Sequence, residues 1–191
     1  MKKKLKNVDS APLGEAYNNI LNYFFSFPEQ AIGLNDLSET VKSSKTTTKK
    51  VVEQLINEKF LKKEEIGKAW RISVIQDHPY LITRKIPLNI NMIYESGIVD
   101  AVREKIPGAR AIVLFGSYRW GVDNEKSDLD IAVEVINNEN PSIETLGMVN
   151  LGYRKEIMIN LFIFSRNKVD LNVFNNIANG IVLDGLLEVR P

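Results

Sequence analysis

The chain has 191 residues, 44% of them hydrophobic, with 25 Lys+Arg against 24 Asp+Glu and a formal net charge of +1. That length allows one large or two small domains, and the charge is too small to announce a nucleic-acid partner by itself. There is no cysteine, which excludes disulfides and thiolate metal sites, and no apolar run approaches the ~20 residues needed to cross a bilayer. The start, Met1-Lys-Lys-Lys-Leu-Lys6, is basic but lacks the apolar stretch of a signal peptide. A cytoplasmic protein without membrane contacts is the expectation. Residues 1–80 hold 13 basic and 10 acidic side chains, residues 81–191 hold 12 and 14, so the charge leans mildly toward the first half.

In chain order, Ala16 to Phe25 places Tyr17, Ile20, Leu21, Phe24 and Phe25 at helical spacing, and Pro28 ends the run. Leu34 to Val41 reads as a short second helix with Asn35 as its cap. A turn at Ser43-Ser44-Lys45 leads into a third helix, Thr46 to Lys59, with Val51, Val52, Leu55 and Ile56 on one face. Phe60-Leu61 and Trp70 to Val74 read as strands joined around Gly67. The segment Asp77-His-Pro-Tyr80, with Pro87 beyond it, marks a domain boundary, giving domains 1–80 and 81–191. His78, the single histidine, falls in that linker and carries no chemical signal there.

The second half opens with a helix expected over Ile90 to Lys105, closed by Pro107-Gly108. A buried strand, Ala111 to Phe115, ends at Gly116-Ser117. After a polar loop carrying Gly121, a strand runs from Asp128 to Val135. Residues two apart on a strand share a face, so Asp128 and Asp130 project together while Leu129, Ile131 and Val133 point into a core. Adjacent carboxylates repel, and a hard divalent cation with oxygen ligands offsets that repulsion. Gly116 lets backbone approach a phosphate, and the Ser117 hydroxyl can donate to one. Pro141 to Gly152 is expected to be a helical crossover, Glu156 to Phe164 a third strand, Arg166 to Ala178 a helix, and Ile181 to Leu183 a last short strand.

The run Phe115-Gly-Ser-Tyr-Arg-Trp-Gly121, followed by Ser127-Asp-Leu-Asp130, resembles the nucleotidyltransferase fold of the DNA polymerase beta superfamily, in particular its small prokaryotic members. The resemblance covers residues 81–191. It implies nucleotidyl transfer from an NTP such as ATP, with Mg²⁺ or Mn²⁺ held by Asp128 and Asp130. It also implies that Gly116, Ser117, Arg119 and Ser127 serve the nucleotide. That superfamily normally places a third acidic residue on the next strand. Here the position falls on Asn160, which offers one neutral oxygen. Asp170 is the obvious substitute, but Val169, Val173, Phe174 and Ile177 surround it at helical spacing and place it in a first helical turn. The family's arginine before the loop glycine is here Trp120, with Arg119 one place earlier. Trp120 either stacks on a base or packs against the sheet.

The first half resembles a winged helix-turn-helix. The whole is then α+β: an N-terminal winged helix of three helices plus a β-hairpin, followed by a small mixed-sheet nucleotidyltransferase domain. The resemblance implies duplex DNA as partner, met by Lys45, Thr46, Thr47, Lys49 and Lys50 at the start of the third helix. Lys68 and Arg71, with Lys62 and Lys63, would join them on the wing. Two functions of different class remain open. One is a DNA-tethered nucleotidyltransferase whose acceptor hydroxyl sits on a partner protein, such as a HEPN-type toxin. The other is a transcriptional regulator that senses a nucleotide without chemistry. A homodimer built on the winged helix is a further expectation.

Overall fold

The computed structural model describes residues 14–136 and 139–189. The basic start, Met1 to Lys6, lies outside them.

The first half forms helix α1, Glu15–Ser26, a two-residue strand β1, Ile32–Gly33, then α2, Leu34–Thr40, and α3, Lys45–Asn57. Strands β2, Leu61–Ile66, and β3, Ala69–Val74, complete a three-stranded antiparallel sheet in the order β1-β3-β2. Strand β1 adds to the expected hairpin. At two residues it is too short to leave a periodic signature. The expected Asn35 cap is not used: α2 starts at Leu34, as read, and its cap position is Gly33, with no side-chain cap bond. Helix α3 is capped by Ser44, whose side chain accepts from the Thr47 amide. The helical spacing seen in the sequence becomes one core, in which Ile20, Phe24, Leu37, Val52, Leu55, Phe60 and Ile72 are fully buried. Removing each such side chain from water contributes about 1.5–3 kcal/mol, which is what holds three short helices on so small a sheet.

A turn of helix, α4, Tyr80–Thr83, leads to α5, Lys85–Glu95, and α6, Ile98–Lys105. The single helix expected over Ile90 to Lys105 is therefore two. Gly97 adopts φ 73°, a left-handed conformation that ends one helix and redirects the chain into the next.

A five-stranded mixed sheet follows. Strand β4, Ala111–Leu114, leads through the five-residue helix α7, Gly116–Trp120, to β5, Leu129–Glu134. Then come β6, Ser142–Leu151, β7, Arg154–Phe164, helix α8, Leu171–Ala178, and β8, Ile181–Gly185. The strand order is β6-β7-β5-β4-β8, with β5 and β7 parallel and the other pairs antiparallel. The segment expected as a helical crossover is thus an edge strand. It shifts register between Thr145 and Gly147, and that bulge disguises its alternation. Helix α8 is also shorter than expected. Asp170 is its N-cap, accepting from the amides of Asn172 and Val173.

Leu129, Ile131 and Val133 face a core with Ile93, Val102 and Ile112, while Ala132 and Val113 pack beneath α8 with Phe164 and Ile177. The sheet is buried on both faces at its centre. Its open end lies where β4 runs into α7 and β5 begins.

The two halves touch at several points. The Tyr23 and Tyr153 rings meet edge-on at 5.7 Å, and Ser26 Oγ accepts from the Tyr153 amide at 3.3 Å. Asn124 donates to Glu29 at 2.7 Å. A Cβ on Gly121 would collide with the Leu81 carbonyl of α4, so this loop seats on the linker only as glycine.

Candidate active site

The parallel pairing of β5 with β7 sets Asp130 directly opposite Asn160. The Asn160 amide nitrogen lies 3.4 Å from an Asp128 carboxylate oxygen and 3.5 Å from one of Asp130. The two carboxylates and the amide named from the sequence therefore form one cluster. Burial pushes the Asp130 carboxyl above its ordinary pKa; the Asn160 contact opposes this and the neighbouring Asp128 charge adds to it.

Gly116 sits against this cluster with φ 69°, and a Cβ there would lie 2.6 Å from an Asp130 carboxylate oxygen. Two demands meet at this residue. The backbone must turn left-handed between β4 and α7, and Asp130 needs the space beside it. Ser117, next along α7, has no side-chain hydrogen bond among the described residues, so its hydroxyl remains able to meet a ligand.

The other expected nucleotide residues are engaged elsewhere. Ser127 accepts from the Asn124 amide at 3.0 Å and shapes its own loop. Arg119 donates to the Asn179 carbonyl at 2.7 Å and stacks 4.1 Å from the Trp120 ring centre. Trp120 is 54% exposed, so the expectation that it packs against the sheet is not met. Asp170 is held by its capping bonds and takes no part in the cluster.

A buried polar network beneath the loop between Gly121 and Asp128 gave no sequence signal. Lys85 is 1% exposed and lies 3.2 Å from the Asp123 carboxylate, while also donating to the Asp123 carbonyl. Asn89 donates to the same carboxylate at 2.9 Å. Burial pushes the Lys85 amine down and the Asp123 carboxyl up, and each partner's charge opposes the other's shift. Arg154, also buried, donates to the Tyr118 hydroxyl at 2.6 Å and to the carbonyls of Glu125 and Ser127. The Ser127–Asp128 peptide is trans. With its carbonyl turned toward Arg154, its N–H, belonging to Asp128, points the opposite way. Arg154 thereby sets the backbone immediately before the first carboxylate. The helix expected from the sequence began only at Ile90, beyond Lys85, and a buried lysine looks like a surface one until its partner is known.

Among the described residues no group of three or more His, Cys, Asp or Glu could hold a metal ion. The donor set is two carboxylates plus one neutral amide. That set suits an ion completing its shell with substrate phosphates, since Mg²⁺ typically keeps one or two carboxylates and several other oxygens. It does not supply the third charge that a second, independently held ion would ask for.

Residues 95–173 match the family model of the nucleotidyltransferase domain. That segment runs from the end of α5 through α6, the Gly116-Ser117 step, both carboxylates and β7 into the start of α8. The match supports nucleotidyl transfer as the chemistry of this half of the chain. No curated protein gives a significant match. The helices of the described residues include none long and apolar enough to cross a membrane.

On the first half, Lys45, Thr46, Thr47, Lys49, Lys50, Lys68 and Arg71 are all exposed. Lys45, Lys49 and Lys68 share a groove of about 380 Å³ with Trp70 and the Gly33–Asp36 turn. The helix start and the hairpin thus open onto one surface. Its positive charge is diluted: Lys49 lies 3.9 Å from Glu53, Lys63 3.0 Å from Glu65 and Arg71 3.7 Å from Glu64.

Proposed function

We propose that the chain is a Mg²⁺- or Mn²⁺-dependent nucleotidyltransferase, moving a nucleoside monophosphate from an NTP, with ATP the expected donor, to an acceptor hydroxyl. The observation that carries this reading is the convergence of Asp128, Asp130 and Asn160 beside Gly116 and the unpaired Ser117 hydroxyl. Asp128 and Asp130 would hold the ion that accompanies the triphosphate, and Ser117 would donate to a phosphate oxygen. When bound, that ion screens the phosphate charge as it develops at the leaving pyrophosphate. Asn160 cannot take a proton from the acceptor, so this chain's own contribution is to bind and align the donor. A partner protein presenting its hydroxyl fits a domain this small, and a HEPN-type toxin is one such partner.

The first half is read as a winged helix that meets duplex DNA through the start of α3 and the β2–β3 hairpin. Its element order and the shared basic groove support that reading. The cytoplasm is the compartment that suits NTP and DNA together. Asn160 favours a second reading, in which the nucleotide is sensed and not transferred. Incubation with labelled ATP, Mg²⁺ and cell extract separates the two. A labelled macromolecule supports transfer. Saturable binding without product supports sensing, and neither result would leave the nucleotide assignment without support.

A further inference from the structure

Between the two halves lies a cleft of about 630 Å³, in the size range of small-molecule sites. One wall comes from Glu29 and the linker residues Asp77, His78 and Ile82. The other comes from Trp120, the last residue of α7, and Val122, on the loop that leads to Asp128. Ile82 is 64% exposed, Val122 69% and Trp120 54%. Three large apolar side chains facing water in one concavity are unusual on a soluble surface and mark a binding place.

The polar lining has one sign. Among the described residues no Lys or Arg lines the cleft. His78 has both ring nitrogens engaged: one accepts from the Tyr80 amide and the other faces the Glu58 carbonyl. Asp123 is answered by Lys85. Glu29 takes one hydrogen bond from Asn124 and has no ion pair, and Asp77 has neither a hydrogen bond nor an ion pair among the described residues. An indole ring and two unneutralised carboxylates around an apolar cavity describe a receptor for an organic cation.

We propose that this cleft binds a small organic cation with an apolar body, the amine or quaternary ammonium meeting Glu29 and Asp77 and the body lying against Trp120, Ile82 and Val122. Such a molecule touches both halves at once. It bears directly on the loop whose far end carries Asp128. The cleft is separate from the carboxylate cluster, so its test does not depend on nucleotidyl transfer.

The full chain, labelled with 5-fluorotryptophan, gives one fluorine resonance for each of its two tryptophans, assigned with Trp70→Phe. It is titrated with 3-phenylpropylamine, and separately with 3-phenylpropanol and 3-phenylpropanoate. The amine is expected to shift the Trp120 resonance saturably in the millimolar range usual for a fragment, leaving Trp70 unmoved. Asp77→Asn with Glu29→Gln, both at exposed positions, should weaken the amine about fivefold, the order expected for exposed charge and ring contacts. Ile82→Lys should abolish its binding by placing a cation in the cleft. Absence of a saturable Trp120 shift with the amine, or equal affinity for the alcohol or the carboxylate, would overturn the proposal.

Discussion

Asn160 directs its amide nitrogen at both carboxylates, and a third carboxylate in its place would turn attraction into repulsion. The metal-free cluster is therefore less repulsive than one with three acids and, under the proposed reaction, less able to activate an acceptor. Asn160→Asp is expected to melt lower than wild type in metal-free buffer and to recover with Mg²⁺, since an ion that binds only the folded state stabilises it. With an acceptor present, the variant should also transfer more nucleotide. Equal destabilisation in both buffers, with no activity gained, would reduce Asn160 to a packed strand residue. Asp130 gives a second expectation at this scale. Its folded pKa is raised, chiefly by burial, so the folded chain binds more protons than the unfolded one between the ordinary and the raised value. Stability without metal should fall as pH rises through that window. Asp130→Asn should reduce that slope, the remainder coming from Asp123, whose carboxyl burial also raises, in melts recorded across pH 3–7, a span chosen around the carboxylate range. A slope unchanged by the substitution would place its source wholly elsewhere. The Asp-x-Asp pair and the Gly-Ser step were legible in the sequence because each sits within a few residues of its neighbour. The role of Gly116 was only half legible: its left-handed turn follows from chemistry, but the carboxylate filling its Cβ position belongs to a strand fourteen residues on.

Elements were readable where one face is buried and the period is undisturbed. The alternating β5 and β7 and the amphipathic α1 and α3 satisfy this. Strand β6 does not, because a bulge at Gly147 moves its side chains out of step and leaves Ile143, Leu146 and Val149 three apart, a spacing that imitates a helix. The break at Gly97 was a helix-stop signal inside an otherwise continuous apolar pattern. The buried network was not readable at all, since Lys85 and Asp123 are 38 residues apart and meet only in the fold. Removing one member of it should be severe. Lys85→Met leaves Asp123 buried without its cation and is expected to cost about 3–5 kcal/mol in denaturant unfolding, with Lys85→Met/Asp123→Leu recovering a large part of that. A single variant as stable as wild type would show that the loop tolerates an unpaired carboxylate. By contrast, Asp170→Ala removes only a helix cap and is expected to cost about 1 kcal/mol. Metal-dependent NTP binding, followed by calorimetry, should stay within about threefold of wild type. A loss like that of Asp130→Ala would return Asp170 to the metal site.

The two halves are joined by contacts far apart in sequence, such as Ser26 with Tyr153 and Glu29 with Asn124, so their arrangement could not be read from local pattern. What they share is a loop, Trp120 to Asp128, seated on the linker at one end and on the carboxylate-bearing strand at the other. This gives the first half a reason to be attached: whatever it binds is held at a fixed place relative to the proposed nucleotide site. The expected partner is duplex DNA, and the exposed start of α3 is where that expectation is most open to test. Lys49 and Lys50 are exposed there, and their ammonium groups suit phosphates, which position a protein without reading sequence. Lys49→Glu with Lys50→Glu should weaken binding to every fragment tried and flatten the dependence of log K on log salt by about 2, one unit for each phosphate no longer neutralised. The fold should survive, because the carboxylate introduced at position 49 would meet Glu53 only across an exposed helix turn, a repulsion of about 0.2–0.5 kcal/mol. A melt confirms that, and titration of labelled duplexes at several salt concentrations gives the slope. If the wild-type chain shifts no duplex even at low salt, its acidic neighbours Glu53, Glu64 and Glu65 outweigh the lysines. The three-helix half is then an assembly surface, and sedimentation should find a dimer that mutations on α3 dissociate.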